Sequence, residues 1–192
     1  MPAAKPAVQP KASPTLFKSA KAFESWLKKH HATSDGLWLK IAKRGAAEPS
    51  VTYPEAVEVA LCWGWIDGQK KGLDDQHWLQ RFTPRRARSV WSKINIDKVA
   101  ALIEAGRMQA PGHAQIEAAK ADGRWEAAYE SQKDATVPPD LSAALATSPR
   151  AAETFAALGK TDQYAVILDL VTARTTEARA AHLRKAIATL EA

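Results

Sequence analysis

The first apolar pattern along the chain has the spacing of a helix. Phe23, Trp26 and Leu27 lie three and four positions apart, which places them on one helical face. Ser19 carries a side chain that can cap the first turn, so we expect a helix over residues 20–30.

The next apolar pattern has the spacing of a strand. Apolar and other positions alternate there, which suits a strand with one buried face. The inward positions are Leu37, Leu39 and Ile41, and the outward ones are Trp38 and Lys40.

A second helix start is marked by residues with capping-box spacing. Thr52 and Glu55 can satisfy each other's backbone N–H groups, and Pro54 is tolerated in a first turn. This helix is predicted to end near Trp65. Residues 66–71 and 78–82 then read as two strands of a hairpin.

The remaining chain has helical periodicity throughout. The predicted fold class is therefore α+β: a small three-stranded antiparallel sheet packed with helices, followed by an all-helical C-terminal module. The predicted division of the chain is a disordered Pro/Ala-rich leader at 1–15, a Trp-rich domain with a basic loop at 16–130, a linker at 131–139 and the helical module at 140–192.

The N-terminal stretch and the cysteine content bear on location. Residues 1–15 contain no apolar run that could form the core of a signal peptide, and no apolar run along the chain is long enough for a membrane span. The single cysteine, Cys62, excludes an intramolecular disulfide and is expected as a small core thiol. We therefore expect a cytoplasmic protein without membrane insertion.

Charge is distributed unevenly along the chain. The net charge is +6, but residues 1–96 hold sixteen Lys and Arg against eight Asp and Glu, whereas residues 97–192 hold eleven against thirteen. The basic character belongs to the first half, which favours an anionic partner there.

A dense basic cluster with nearby indole rings is the candidate ligand-binding site. Guanidinium groups bind phosphate or carboxylate through paired hydrogen bonds, and indole rings offer stacking faces. The alternative is that the arginines pair with internal acids while their stems cover apolar surface. The candidate residues are Trp65, Asp67, Arg81, Arg85, Arg86, Arg88, Trp91, Lys93 and Asn95.

Asp67 is the acid of this candidate site. It follows the apolar end of a helix, and a buried carboxylate is costly unless it is paired. We therefore expect an ion pair with Arg81 or Arg85, in preference to a role as a general base.

The seven Trp residues are expected to divide into two groups by their neighbours. Polar or basic neighbours suggest exposure of three, and the remaining four are expected in the core. The exposed group is Trp65, Trp78 and Trp91, and the core group is Trp26, Trp38, Trp63 and Trp125.

No pattern of catalytic, cofactor-binding or metal-binding residues stands out. The chain lacks a Gly-rich phosphate loop, a G-x-S-x-G turn and a C-x-x-C pair. The five His residues have no helical metal-pair spacing. We expect no catalytic residue, no cofactor and no metal.

Several short motifs of the chain are distinctive in combination. The central motifs are Cys62-Trp63-Gly64-Trp65-Ile66-Asp67-Gly68, Arg81-Phe82-Thr83-Pro84-Arg85-Arg86 and Asp122-Gly123-Arg124-Trp125. With these motifs the chain resembles the bacterial YdeI/OmpD-associated, or bacteriocin-protection (OmdA-like), proteins. The C-terminal helices resemble the module that names this family. Where relatives tend to carry a further basic residue after a Thr-Arg pair, this chain has Glu177-Ala178-Arg179-Ala180-Ala181-His182.

The resemblance implies protection against bacteriocins or cationic peptides, and an association with an outer-membrane porin. Without a signal peptide, that association is expected to be indirect or to precede export. The leading hypothesis is a non-catalytic cytoplasmic protein, linked to envelope stress, that binds an anionic small molecule or an acidic protein surface. The alternatives are a nucleic-acid-binding protein and an enzyme that uses Asp67 as acid or base.

Overall fold

The computed structural model describes residues 13–192, so most of the predicted leader lies outside the described residues. The described chain divides into two compact units. The first contains the residues up to Ser89 together with Val99–Ala118, and the second contains Val90–Lys98 together with Ala119–Ala192.

A four-stranded sheet with the order β1-β2-β4-β3 forms the centre of the first unit. Strand β1 pairs with β2 in parallel, whereas β4 pairs antiparallel with both β2 and β3. The strands are β1 (Thr15–Leu16), β2 (Leu37–Ala42), β3 (Trp65–Gly72) and β4 (His77–Pro84).

The prediction of a three-stranded antiparallel sheet is therefore wrong in detail, although the α+β class is confirmed. All three expected strands are present, and β1 adds a fourth that makes the sheet mixed. A strand of two residues shows no alternation to read, and its partner is distant along the chain.

Two helices of the first unit begin where the capping residues predict. Helix α1 (Ala20–His30) is capped by Ser19, whose hydroxyl accepts a 3.3 Å hydrogen bond from the N–H of Ala22. Helix α2 (Tyr53–Cys62) has the complete capping box between Thr52 and Glu55.

The core of the first unit lies on one face of the sheet. The ring of Phe23 in α1 lies 5.6 Å from that of Phe82 in β4, and both are fully buried. Leu37, Leu39 and Ile41 are buried on the same side of β2, as their alternation predicts. On the opposite face of the sheet lie Trp38, Lys40 and Arg81, whose side chains are partly exposed to solvent.

Helix α2 ends three residues earlier than predicted because Gly64 turns the chain. Gly64 has φ +72°, a conformation that glycine adopts without a Cβ penalty, and Trp65 then enters β3. A Cβ on Gly64 would lie 2.7 Å from the carbonyl oxygen of Pro111, so the backbone passes closely here.

Helices α3 (Lys93–Glu104) and α4 (Ala110–Ala121) each contribute residues to both units. No helix within residues 13–192 is both long and apolar enough to cross a bilayer.

Four more helices make up most of the second unit. Their buried side chains form one apolar cluster that includes Leu141, Phe155, Ile167, Leu170 and Leu190. The predicted linker, 131–139, is turn and coil until its last residue. The helices are α5 (Pro139–Ala146), α6 (Pro149–Ala157), α7 (Lys160–Val171) and α8 (Thr176–Glu191).

Candidate functional site

The open face of the first unit's sheet carries cations around an indole ring. Trp38 and Arg81 are directly paired across β2 and β4, and Lys40 and Lys71 both pair with Leu79. Because paired residues project to the same side of a sheet, these side chains share one face. We call the surface formed by Trp38, Lys40, Lys71 and Arg81 the basic sheet face.

The two cations nearest Trp38 are placed for cation–π contact. The Lys71 Nζ atom lies 4.7 Å from the centre of the Trp38 ring, and the Arg81 guanidinium carbon lies 5.9 Å from it. Arg81 also donates a 3.3 Å hydrogen bond from Nη2 to the carbonyl oxygen of Asp35. These contacts hold positive charge against a half-buried aromatic surface.

The charge of the basic sheet face has no carboxylate partner in the described part of the chain. The ion pairs found there involve other residues, and none includes Lys40, Lys71 or Arg81. A group of like charges that is not neutralised internally attracts anions from solution, and the attraction weakens as salt is added.

A bulge in β3 sets which lysine faces which side. The pairing register shifts between Asp67 and Lys70, and the amide of Gln80 donates a 2.8 Å bond to the Gly68 carbonyl at this point. Lys71 consequently joins Trp38 on the open face. Lys70 lies on the other side, with its Nζ 4.4 Å from the ring centre of Trp78.

The expected ion pair of Asp67 with Arg81 or Arg85 is wrong. The Tyr53 hydroxyl donates a 2.7 Å hydrogen bond to Asp67 Oδ2, which satisfies the carboxylate without an arginine. Asp67 projects toward α2 because it is opposite the inward-facing Phe82, whereas Arg81 projects to the open face.

The Tyr53 ring belongs to a small aromatic group beside a cavity. Its centre lies 5.7 Å from the ring of Trp78, and both side chains line a cavity of about 370 Å³. Burial, followed by the bond to Asp67, raises the pKa of Tyr53 well above its ordinary value. Tyr53 therefore stays protonated and serves Asp67 as a hydrogen-bond donor.

The arginines after β4 do not form one exposed cluster. Arg85 is only 5% exposed, and its N–H donates a 2.9 Å bond to the carbonyl of Gly64. Arg86 and Arg88 are exposed, and neither forms an ion pair within the described residues. A turn between Arg86 and Ser89 fixes this loop.

The expected exposure of Trp65 and Trp91 is wrong. Trp65 is 1% exposed, its ring packs edge-on against Trp26 at 5.8 Å, and its Nε1 donates to the carbonyl of His31. Trp91 is 2% exposed and lies 5.0 Å from Trp125 in the second unit. Because both rings are buried by these contacts, neither is available for a ligand to stack on.

The last two predicted site residues lie in the second unit. Lys93 is exposed, and its ammonium pairs with Glu130 while its N–H donates to the Tyr129 carbonyl. The N–H of Asn95 donates to Ser92, at the first turn of α3. Lys93 is therefore neutralised by a carboxylate, unlike the lysines of the basic sheet face.

The sequence reasoning missed Trp38, Lys40 and Lys71 as site residues, although the signal was present. The alternation in β2 already placed Trp38 and Lys40 opposite to the inward leucines. Of the predicted site residues, Arg81 alone belongs to the basic sheet face. No three His, Cys, Asp or Glu side chains within residues 13–192 are grouped to hold a metal ion.

Two family models match the chain, one in each half. A model described as Domain of unknown function (DUF8412) matches residues 15–115, and one described as Bacteriocin-protection, YdeI or OmpD-Associated matches residues 134–192. Searches of curated proteins and of solved structures gave no significant match. The resemblance inferred from the motifs is thereby confirmed: the chain belongs to the DUF8412 family and carries a C-terminal domain of the YdeI or OmpD-associated, bacteriocin-protection family.

Proposed function

We propose that the protein is a non-catalytic binding protein whose basic sheet face recognises an acidic surface on a protein partner. The observation that carries this proposal is the placement of Lys71 and Arg81 against Trp38 without a carboxylate counterpart in the described chain. An acidic partner would supply the missing countercharge, and the aliphatic stems and the indole would supply apolar contact.

The shape of the surface favours an extended partner over a small anion. Side chains on an open sheet face spread along strands and across neighbours about 4.8 Å apart, so they form a plane. Small ligands generally bind in concave sites that bury most of their surface. A plane of separated cations instead suits a row of carboxylates on a macromolecule.

Single-stranded nucleic acid is the second candidate, and the position of Trp38 favours it. A half-buried indole flanked by cations on an open sheet is the arrangement on which bases stack while phosphates meet lysines. Lys71 would have to leave the Trp38 ring for a base to stack there, which makes the acidic protein surface the simpler partner.

The description of the C-terminal family suggests the biological setting, which is protection against bacteriocins or cationic peptides under envelope stress. Direct capture of a cationic peptide by the basic sheet face would bring like charges together, which is unfavourable. We therefore propose that protection acts through an acidic partner, inside the cytoplasm, and that any link to a porin is indirect.

The proposal is tested by charge reversal on the open face. Lys40→Glu/Lys71→Glu removes two cations that form no ion pair within the described residues, so the fold should be retained. Binding to poly-L-glutamate and to a single-stranded oligothymidylate is measured by fluorescence titration at low and at physiological salt. We expect poly-L-glutamate binding to fall at least tenfold in the variant.

A matched control distinguishes the effect of the basic sheet face from the effect of the net charge of the protein. Arg184→Glu/Lys185→Glu makes the same change in net charge at exposed positions of α8. This control should retain most of the binding that the face variant loses. Equal losses in both variants, or no poly-L-glutamate binding even at low salt, would refute the proposal, and oligothymidylate binding alone would favour the second candidate.

A further inference from the structure

A separate cavity in the second unit combines arginines with small apolar side chains. It has a volume of about 190 Å³. Its lining comes from the turn after α4, from the turn before α8 and from Val90.

One of the two arginines is fixed in the cavity wall. Arg124 is 8% exposed, and its Nε donates 2.8 Å hydrogen bonds to both carboxylate oxygens of Asp122. This bond, more than any other contact, lowers the pKa of Asp122, so the carboxylate stays ionised at neutral pH. The pair therefore presents a rigid polar wall whose two charges largely cancel.

The other arginine supplies charge that the cavity does not neutralise. Arg174 lines the cavity, is exposed and forms no ion pair within the part of the chain that the structure describes. Arg174 also contributes to the lowered pKa of Asp122, which places its charge close to the pair. The titratable side chains of the lining thus carry one net positive charge.

The other walls are apolar. Val90, Ala127, Val171 and Ala173 line the cavity beside the arginines, and Thr172 already donates its hydroxyl proton to the carbonyl of Leu168 at 2.7 Å. A volume below the roughly 300 Å³ of ordinary small-molecule sites admits only a few carbon atoms. The cavity thus suits a short hydrocarbon group next to a single charge.

We propose that this cavity is a binding site for a small aliphatic monocarboxylate. The guanidinium of Arg174 pairs with the carboxylate of the ligand, and the valine and alanine side chains cover its carbon atoms. The fixed carboxylate of Asp122 disfavours ions with two or three negative charges, such as phosphate dianions and dicarboxylates, because like charges at short range repel.

The probe for this proposal is isobutyrate, titrated into the full chain at constant ionic strength. Amide chemical shifts in ¹H–¹⁵N spectra report where it binds, with acetate, succinate and inorganic phosphate as comparisons. We expect saturable shifts confined to the cavity lining and a Kd of about 1 mM, as expected for a ligand with few atoms. Acetate should bind more weakly because it covers less apolar surface.

Two variants test the two halves of the recognition. Arg174→Gln removes the unneutralised charge and should weaken isobutyrate binding at least tenfold. Ala127→Leu fills the cavity from an exposed position and should abolish binding without changing the charge. Arg184→Gln, an exposed arginine outside the lining, should bind isobutyrate like the wild type.

Three results would overturn the proposal. Isobutyrate shifts that do not saturate, or that spread over basic residues of both units, would show general anion screening. Unchanged affinity in either Arg174→Gln or Ala127→Leu would show that the cavity is not the site. Tighter binding of phosphate or succinate than of isobutyrate would refute the assignment to monocarboxylates.

Discussion

The Tyr53 hydroxyl donates a 2.7 Å hydrogen bond to the Asp67 carboxylate, joining the first turn of α2 to strand β3. Tyr53 is thus the hydrogen-bond partner of Asp67, whereas the sequence suggested an ion pair with an arginine. The two residues are fourteen positions apart in the sequence, so the bond is a tertiary contact between two elements of the first unit.

Removing the Tyr53 hydroxyl should lower the stability of the first unit modestly. Tyr53→Phe leaves a half-buried carboxylate without its partner, and we expect the free energy of unfolding to fall by about 1 kcal/mol. Urea denaturation measures the change. In a double-mutant cycle, Asp67→Asn should cost much less when combined with Tyr53→Phe than alone, and strict additivity would contradict a direct bond.

Because of burial and the same bond, Tyr53 should ionise at a higher pH in the folded protein than in the unfolded chain. The pKa of Tyr53 is raised above its ordinary value of 10.0, so the folded protein keeps Tyr53 protonated where the unfolded chain loses its proton. This contribution to stability is fully present below pH 10 and is lost as the pH rises above it. Absorbance at 295 nm, compared between wild type and Tyr53→Phe, should show no Tyr53 ionisation near pH 10 in the folded state.

Cys62 should be unreactive until the protein unfolds. The thiol is buried, and burial raises its pKa to about 11 even though Arg107 opposes the shift. At pH 8 only about one molecule in a thousand would then carry the thiolate that reacts. Iodoacetamide labelling followed by mass spectrometry should give no adduct in buffer and full labelling in denaturant. Rapid labelling of the folded protein would contradict this burial.

Gly64 should tolerate substitution less well than another glycine with the same backbone conformation. Gly64 and Gly106 have similar positive φ angles, +72° and +64°. Of these two glycines, only Gly64 has close neighbours: a Cβ added to it would lie 2.7 Å from the carbonyl oxygen of Pro111. We expect Gly106→Ala to cost about 1 kcal/mol from backbone strain alone. Gly64→Ala should cost at least about 2 kcal/mol more, because the Cβ displaces packed backbone.

An equal decrease in the free energy of unfolding for Gly64→Ala and Gly106→Ala would show that α4 shifts away from the end of α2 at little cost. Thermal or urea unfolding of the two single variants measures the difference. The Gln115 side chain would lie 2.9 Å from the Cβ added to Gly64, but it is flexible and can move. The backbone of Pro111 is therefore the main obstacle to the substitution.

An ion pair in the second unit should add stability that depends on pH. Arg179 donates to both oxygens of Asp140, at 2.6 and 2.9 Å, and to the carbonyl of Leu170 at 3.2 Å. Arg179→Gln should lower the free energy of unfolding by about 1 kcal/mol, since both partners are partly exposed and solvent screens the pair. Arg184→Gln, without an ion pair in the described chain, is the control.

The sign of the pH effect follows from the shift of Asp140. Its bond to Arg179 lowers its pKa below the ordinary value of 3.8, so the contribution is present above pH 3.8 and is lost as the pH falls further. The difference in unfolding free energy between wild type and Arg179→Gln should therefore shrink below pH 3.8. A difference that stays constant into that range would contradict the ion pair.

Local chemistry made the helix starts predictable, whereas contacts distant in sequence decided the rest. Ser19 and Thr52 both cap helices as predicted, because a cap needs only residues within one turn. Strand β1 was missed because it exists only through its pairing with β2.

The candidate site was only partly predictable for the same reason. Polar or basic neighbours suggested that Trp65 would be exposed, but its strand position directs it to the core beside Trp26. The strand alternation that identified β2 was the better guide, since it placed Trp38 outside, whereas the grouping of Trp residues by their neighbours had assigned Trp38 to the core. The position of a strand residue thus depends on its face of the sheet more than on its neighbours in sequence.

The bulge in β3 has a consequence for how the protein behaves at high concentration. This strand is at the edge of the sheet, and Lys70 and Lys71 project from it to opposite sides. A second molecule that offered its own β3 as an additional strand would bring four ammonium groups together, two above the new pairing and two below. Repulsion between these lysines therefore disfavours pairing between the β3 strands of two molecules, and a high protein concentration should not cause the sheets to associate edge to edge.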